Sequence, residues 1–265
     1  MAARVFLSCT ASKSVISSLF KMSTSSSIFR HSSTASSVTL ECKGSVAIIK
    51  MCKGENRFTP TFFKEYFKAL DDIESNKDIK ALITTGDGKF YSNGLDLDNF
   101  PSYSPEDVRV LFDVNLNTLF KRMLTFPVIT IAAINGHSFA GGGLLALTHD
   151  YRLMKRERGW FSLPEVLLKM ELTKPLMELA KARLPPSTYT DCILIGKRYT
   201  GEEGKAVGII HEVLDGDKLM ERAIELGEEI GQANLDRDTL SQLKNGLNHT
   251  ALIPISKPHE YYPKL

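Results

Sequence analysis

Cysteine is scarce in this chain. Cys9, Cys42, Cys52 and Cys192 are its four cysteines in 265 residues. No two form a CxxC pair and none stands at zinc-site spacing with histidine, so Cys52 and Cys192 read as ordinary residues of an intracellular protein. Long apolar runs are missing as well; none reaches the roughly 18–20 residues that span a bilayer. No charge sign dominates. The 33 basic and 31 acidic residues leave a net charge of +2, which argues against a dedicated nucleic-acid binder, although a few clustered basic side chains suffice to hold an anionic cofactor. No fixed-period repeat suggests a solenoid. Neither a GxGxxG fingerprint after a first strand nor the Gly-Lys-Ser/Thr ending of a P-loop occurs.

Acidic residues are absent from positions 1 to 40, where Arg4, Lys13, Lys21 and Arg30 stand among many serines and threonines. That composition belongs to an organellar transit peptide or to a disordered leader without an address, and Met22 offers an alternative start. The last three residues, Pro263, Lys264 and Leu265, resemble a variant of the peroxisomal Ser-Lys-Leu signal. The two ends suggest different addresses. The expected compartment is the peroxisome, with a mitochondrion or plastid as the alternative through the leader. The chain divides into a leader over 1–37, a core over 38–200 and a helical, charged region over 201–265.

What remains is a globular composition, 43% apolar and 24% charged, able to bury one large core. Val46 to Cys52 reads as a strand. Thr59 and Pro60 read as an N-cap and first helical residue, followed by Phe62, Phe63, Tyr66, Leu70 and Ile73 at helical spacing. Lys80 to Thr85 is a second strand. Pro105 opens a helix to about Met123, with Val108, Leu111, Phe112, Leu119 and Met123 on one face. Pro127 to Ile134 is a buried strand, Asn135-Gly136 a turn, and the glycines from Gly141 lead into a helix. Tyr151 to Met154 is another strand, and helices are expected over 219–230 and 238–247. The alternation argues for an α/β fold.

Three places could carry chemistry. Gly141, Gly142 and Gly143, between a buried strand and a helix start, let a ligand approach unpaired N–H groups at the positive helix end; tight strand–helix packing explains them equally. The loop Ser92-Asn93-Gly94-Leu95-Asp96 could add a second N–H to form an oxyanion hole, or simply turn the chain. Glu165, in an apolar stretch after a strand, suits a base whose pKa is raised by burial. The competing view is an exposed carboxylate at a helix start after Pro164, and Glu171 is a second carboxylate nearby. His137 and His149 have no nucleophile partner in the sequence and read as structural.

These pieces in this order resemble the crotonase, or enoyl-CoA hydratase/isomerase, superfamily from about Val38 to Leu214. The carriers are Tyr91 to Leu97, Asn135-Gly136 with Gly141-Gly142, Asp150, Pro164-Glu165, and Ala206 to Ile210. The resemblance implies a spiral of ββα turns with a helical C-terminal region that assembles homotrimers or hexamers. It implies that the N–H groups of Asn93 and Gly141 hold a thioester oxygen. It also implies that Ser92, Asn93, Gly94, Leu95, Asp96, Gly142 and Leu144 line an acyl-CoA site, with Lys53 or Arg57 meeting CoA phosphates. Hydratases of this family use two glutamates on water; Leu144 stands at the first position and Glu165 at the second. One carboxylate suits proton shuttling, the pattern of Δ3,Δ2-enoyl-CoA isomerases. No metal and no cofactor is expected, coenzyme A being part of the substrate, and neither nucleic acid nor membrane is an expected partner. Other crotonase chemistry, such as acyl-CoA hydrolysis or weak hydration, and a non-catalytic CoA-binding scaffold are the alternatives.

Overall fold

The computed structural model describes residues 36–257; residues 1–35 of the leader and the C-terminal tripeptide lie outside them. The chain opens with an antiparallel pair, β1 (Val38–Lys43) and β2 (Val46–Met51). Helix α1 (Pro60–Ser75) follows, its first turn closed by the Thr59 side chain, which accepts from Phe62 N. Its buried stripe is Phe62, Phe63, Tyr66, Ala69, Leu70 and Ile73, the spacing anticipated for one apolar helix face.

Thereafter a two-strand unit repeats. β3 (Ala81–Gly86) leads to β4 (Phe90–Ser92), β5 (Ile129–Ile134) to β6 (His137–Phe139), and β7 (Tyr151–Lys155) to β8 (Phe161–Ser162). The first strand of each unit joins a six-stranded sheet, closed by β9 (Glu212–Leu214), of order β1-β2-β3-β5-β7-β9, parallel after the first pair. The second joins a small parallel sheet of order β4-β6-β8. Helices return the chain between units: α2 (Pro105–Arg109) and α3 (Asn117–Leu124), then α4 (Gly141–Thr148), then α5 (Lys174–Arg183). This is the expected α/β spiral. Asn135 stitches successive turns, accepting from Gly86 N and donating to Gly88 O.

Strands of the large sheet alternate between two buried faces, as central parallel strands do. Val46, Ile48, Ala81, Ile83, Ile131, Ala133 and Leu153 meet Leu219, Ala223 and Leu226 of α7 (Leu219–Gln232). Ala47, Ile49, Met51, Leu82, Ala132, Ile134 and Met154 face the main core with α1, α3 and α4. Each fully buried aliphatic side chain contributes about 1.5–3 kcal/mol.

Three elements differ from the sequence expectation. The helix expected from Pro105 to Met123 is interrupted by π-helical turns at Val110–Leu116; the wider turn shifts the face that follows, yet Leu111, Leu119 and Met123 are all buried. Beyond α6 (Gly201–Ala206), strand β9 (Glu212–Leu214) pairs with β7, so the large sheet continues past residue 200. Beyond α8 (Arg237–Leu247), α9 (His249–Ile255) packs on α5. Among the described residues no helix is long and apolar enough to cross a membrane.

Candidate active site

The glycine run and the 92–96 loop meet backbone to backbone. A Cβ on Gly94, whose φ is +75°, would lie 2.6 Å from Gly141 N and 3.0 Å from its Cα. A Cβ on Gly142 would lie 2.2 Å from Ser92 O. Real Cβ atoms do not come so close, so both contacts demand glycine. Ala140, just before α4, holds φ +50° and ψ −126°, a region costly for a residue with a Cβ. Its N–H donates to Ser162 O and its carbonyl accepts from Leu144 N. The strain presents the start of α4, whose first N–H groups have no intrahelical acceptor, to the 92–96 loop.

The loop corrects one expectation. Asn93 N–H donates to Glu55 O at 2.9 Å, and its side-chain amide donates to Glu55 Oε2; that N–H is spent and cannot face a ligand. The free donor lies two residues on. Leu95 pairs with Phe58 in an isolated parallel bridge, in which Phe58 N donates to Gly94 O (2.7 Å) and Asp96 N to Phe58 O (3.4 Å). In such a bridge the intervening N–H points away from the partner strand, and Leu95 N–H has no acceptor among the described residues. The direction of that peptide depends on Gly94 and on Phe58, far away in the chain, so no local motif signals it.

Two other expected contacts are turned inward. Ser92 is fully buried; its hydroxyl donates to Asn56 O at 2.7 Å and accepts from Gly94 N. It supports the loop from beneath and does not line a ligand surface. The Asp96 carboxylate accepts from Asn99 Nδ2 (2.6 Å) and pairs with Arg57 (3.3 Å). Arg57 also pairs with Glu55 and Asp98, so three carboxylates already claim the guanidinium considered for CoA phosphates. Lys53 remains exposed.

Glu165 follows β8, which lies beside β6. Phe161 and Ser162 pair with Ser138 and Phe139, and the Leu163 side chain would lie 3.0 Å from a Cβ on Gly143. Pro164 then starts a single 3-10 turn, Glu165–Leu168. The turn ends at Lys169 with φ +57°, a left-handed position that a glycine would take without cost. Glu165 as a residue is half-buried, but its carboxylate oxygen Oε2 is sealed from solvent and has no hydrogen-bond partner. Burial raises its pKa to about 7, against a smaller opposing pull from its own backbone N–H. Glu171 is exposed. Leu144, the fourth residue of α4, is 1% exposed and brings no polar atom.

The histidines are structural, as read. His149 is buried between Thr84 Oγ1 (2.8 Å) and Leu145 O (2.8 Å), and burial lowers its pKa to about 3. His137 packs among Phe90, Phe139 and Trp160. Asp150 accepts from Thr130 N and Oγ1 and from Lys244 Nζ, a role internal to the fold.

Backbone N–H groups without acceptors among the described residues, a buried carboxylate and glycine-enforced backbone contact are groups that can stabilise a developing oxyanion and move a proton. The sequence pattern of the enoyl-CoA hydratase/isomerase family matches residues 41–257, and the chain belongs to that family, within the crotonase superfamily. Among its relatives, peroxisomal enoyl-CoA delta isomerase 1 of Arabidopsis thaliana is 32% identical over 223 residues, covering 81% of this chain and 91% of the relative. A putative enoyl-CoA hydratase of Thermus thermophilus is 30% identical over 196 residues, 72% of this chain and 76% of the relative. The crystal structure of the probable enoyl-CoA hydratase EchA3 from Mycobacterium tuberculosis H37Rv matches with a TM-score of 0.76 at 27% identity, over 83% of this chain and 91% of that one.

Proposed function

We propose that this protein is an enoyl-CoA isomerase that converts a 3-enoyl-CoA to the trans-2-enoyl-CoA with Glu165 as its single proton carrier. The observation that carries the reading is the buried Glu165 carboxylate, whose Oε2 has no hydrogen-bond partner, together with a helix α4 whose fourth residue is Leu144 and not a second glutamate. Names of relatives divide between isomerase and hydratase, and this pairing favours the isomerase.

In the mechanism, the thioester oxygen lies against Leu95 N–H and Gly141 N–H. Glu165, ionised, removes a proton from C2. The electron pair shifts toward the carbonyl, and the oxygen takes up negative charge before fixed donors; one such donor is typically worth about 10²–10³ in rate. The protonated Glu165 then delivers the proton to C4 as the double bond settles between C2 and C3. A pKa of about 7 suits a group that must both take and return a proton. Leu144 leaves nothing to hold or deprotonate water, so hydration of the product is disfavoured. No step needs a metal or redox group.

The exposed Val166, Leu167, Leu168, Leu194 and Ile195 beside this turn support assembly with further copies, as a homotrimer or hexamer, because apolar patches of this kind mark interaction surfaces. The peroxisomal relative supports that compartment. The functional test is product analysis. Trans-3-hexenoyl-CoA is expected to give the trans-2 isomer, while trans-2-hexenoyl-CoA in water gives 3-hydroxy product at least about 10²-fold more slowly. Faster hydration than isomerisation would replace this reading with a hydratase.

A further inference from the structure

The segment between β2 and α1 holds residues 90–96 through five backbone atoms, Phe90 O, Tyr91 O, Asn93 N, Gly94 O and Asp96 N. Asn56 Nδ2 donates to Phe90 O (3.0 Å) and Tyr91 O (3.1 Å), while Asn56 Oδ1 accepts from Lys53 N (2.9 Å). Asn56 O accepts the Ser92 hydroxyl, which in turn accepts from Gly94 N (3.1 Å). Glu55 O takes Asn93 N, and Phe58 brackets Leu95 through Gly94 O and Asp96 N. Asn56 is 1% exposed and sits at φ +52°, a conformation that asparagine tolerates better than most residues. From Asn93 to Asp96 the backbone donor left unclaimed among the described residues, and aimed away from this clamp, is Leu95 N–H. The Phe58 ring also lies 3.2 Å from where a Cβ on Gly141 would be, so one segment touches both halves of the donor pair.

We infer that Asn56 and Ser92 are positioning residues for the oxyanion site: through Phe90 O, Tyr91 O and Gly94 N they fix the peptide that aims Leu95 N–H at the thioester oxygen. The inference rests on the isomerase reading for its ligand. Neither side chain touches substrate; both are buried beneath the loop. Their loss leaves the donor in the chain but lets it drift, so the rate falls by less than deletion of the donor would cause. Binding of the remainder of the acyl-CoA is unaffected.

Asn56→Gly keeps the left-handed backbone and removes only the amide; Ser92→Ala removes only the hydroxyl. Each is expected to lower kcat about 10- to 100-fold, below the ceiling for a lost donor, with KM within about twofold. The decisive readout is the carbonyl stretch of trans-2-hexenoyl-CoA, labelled with 13C at the thioester carbon and bound to protein carrying Glu165→Gln so that no proton moves. In that background the stretch is expected to move to lower frequency on binding, and adding Asn56→Gly or Ser92→Ala is expected to cut the displacement by about half or more. A purely structural role lowers the melting temperature without changing this signature. An undiminished displacement in folded double variants overturns the inference and leaves the isomerase reading standing. No displacement in the Glu165→Gln background removes the oxyanion site itself, and the inference with it. Where Asn56→Gly does not fold, Ser92→Ala decides alone.

Discussion

The two ends of helix α4 are built on opposite rules. At the N-terminal end no side chain caps the helix, Ala140 is strained, and the first N–H groups are left open between two glycine contacts. At the C-terminal end carbonyls are held by side chains. Leu145 O accepts from Thr148 Oγ1 and His149 Nδ1, Leu147 O from Arg183 Nε, and His149 O from both Arg152 and Arg183. Cations there also complement the negative end of the helix dipole. Behind them Lys244 Nζ, nearly without solvent, meets Asp150 at 2.5 Å and Val128 O at 2.8 Å. The difference sets an open end against a closed one within the same eight-residue helix: the first N–H groups are left without a side-chain cap, whereas carbonyls at the far end are held by side chains.

That division is open to breaking. The largest effect is expected at the closed end. Lys244→Met leaves the Asp150 carboxylate without its cation and is expected to cost about 3–5 kcal/mol of stability, read by urea denaturation, with kcat per folded molecule within about twofold of wild type. A large kcat loss there would dissolve the contrast. At the open end the signs reverse. Gly142→Ala drives a methyl into Ser92 O, parts the two loops, and is expected to lower kcat about 10²-fold, more than its loss of stability explains. Arg152→Met orphans Ile209 O and leaves His149 O to Arg183 alone, and is expected to cost about 1–3 kcal/mol without a change in product or in the pH profile.

The smallest effect concerns the base itself. Burial raises the Glu165 pKa from the ordinary 4.5 to about 7, so between these values the folded protein holds a proton that the unfolded chain releases. Stability conferred on the protonated form is present below pH 4.5 and is lost as pH rises through 7. Glu165→Gln, which does not titrate, is therefore expected to match wild type in acid and to gain about 1–2 kcal/mol on it above pH 7, allowing for the solvent that reaches a half-buried residue. Thermal melts of both proteins from pH 4 to 9 test this; a gap independent of pH would mean that the carboxylate is not desolvated.

Much of this was legible in sequence where a pattern repeats. The strands β2, β3, β5 and β7 are apolar runs, and α1 shows helical spacing with its Thr59-Pro60 start. Glu165 stands out because its neighbours are apolar. The small sheet was invisible because its strands run two or three residues, too short for a period of two to register. The π-helical turns at 110–116 were hidden because side-chain spacing over one turn does not separate α from π. That Leu95 N–H and not Asn93 N–H is left without an acceptor turns on a single peptide direction, set by Glu55 and Phe58 from another part of the chain. Arg57 looked like a phosphate ligand because its three carboxylate partners meet it only in the fold.

The most direct test of the central claim is the pH dependence of trans-3-hexenoyl-CoA isomerisation, wild type beside Glu165→Gln. The account predicts that kcat/KM rises with pH to a plateau through an apparent pKa of about 7, and that the variant is slower by about 10²–10⁴-fold on that plateau. A flat wild-type profile, or a variant retaining wild-type rates, would contradict it.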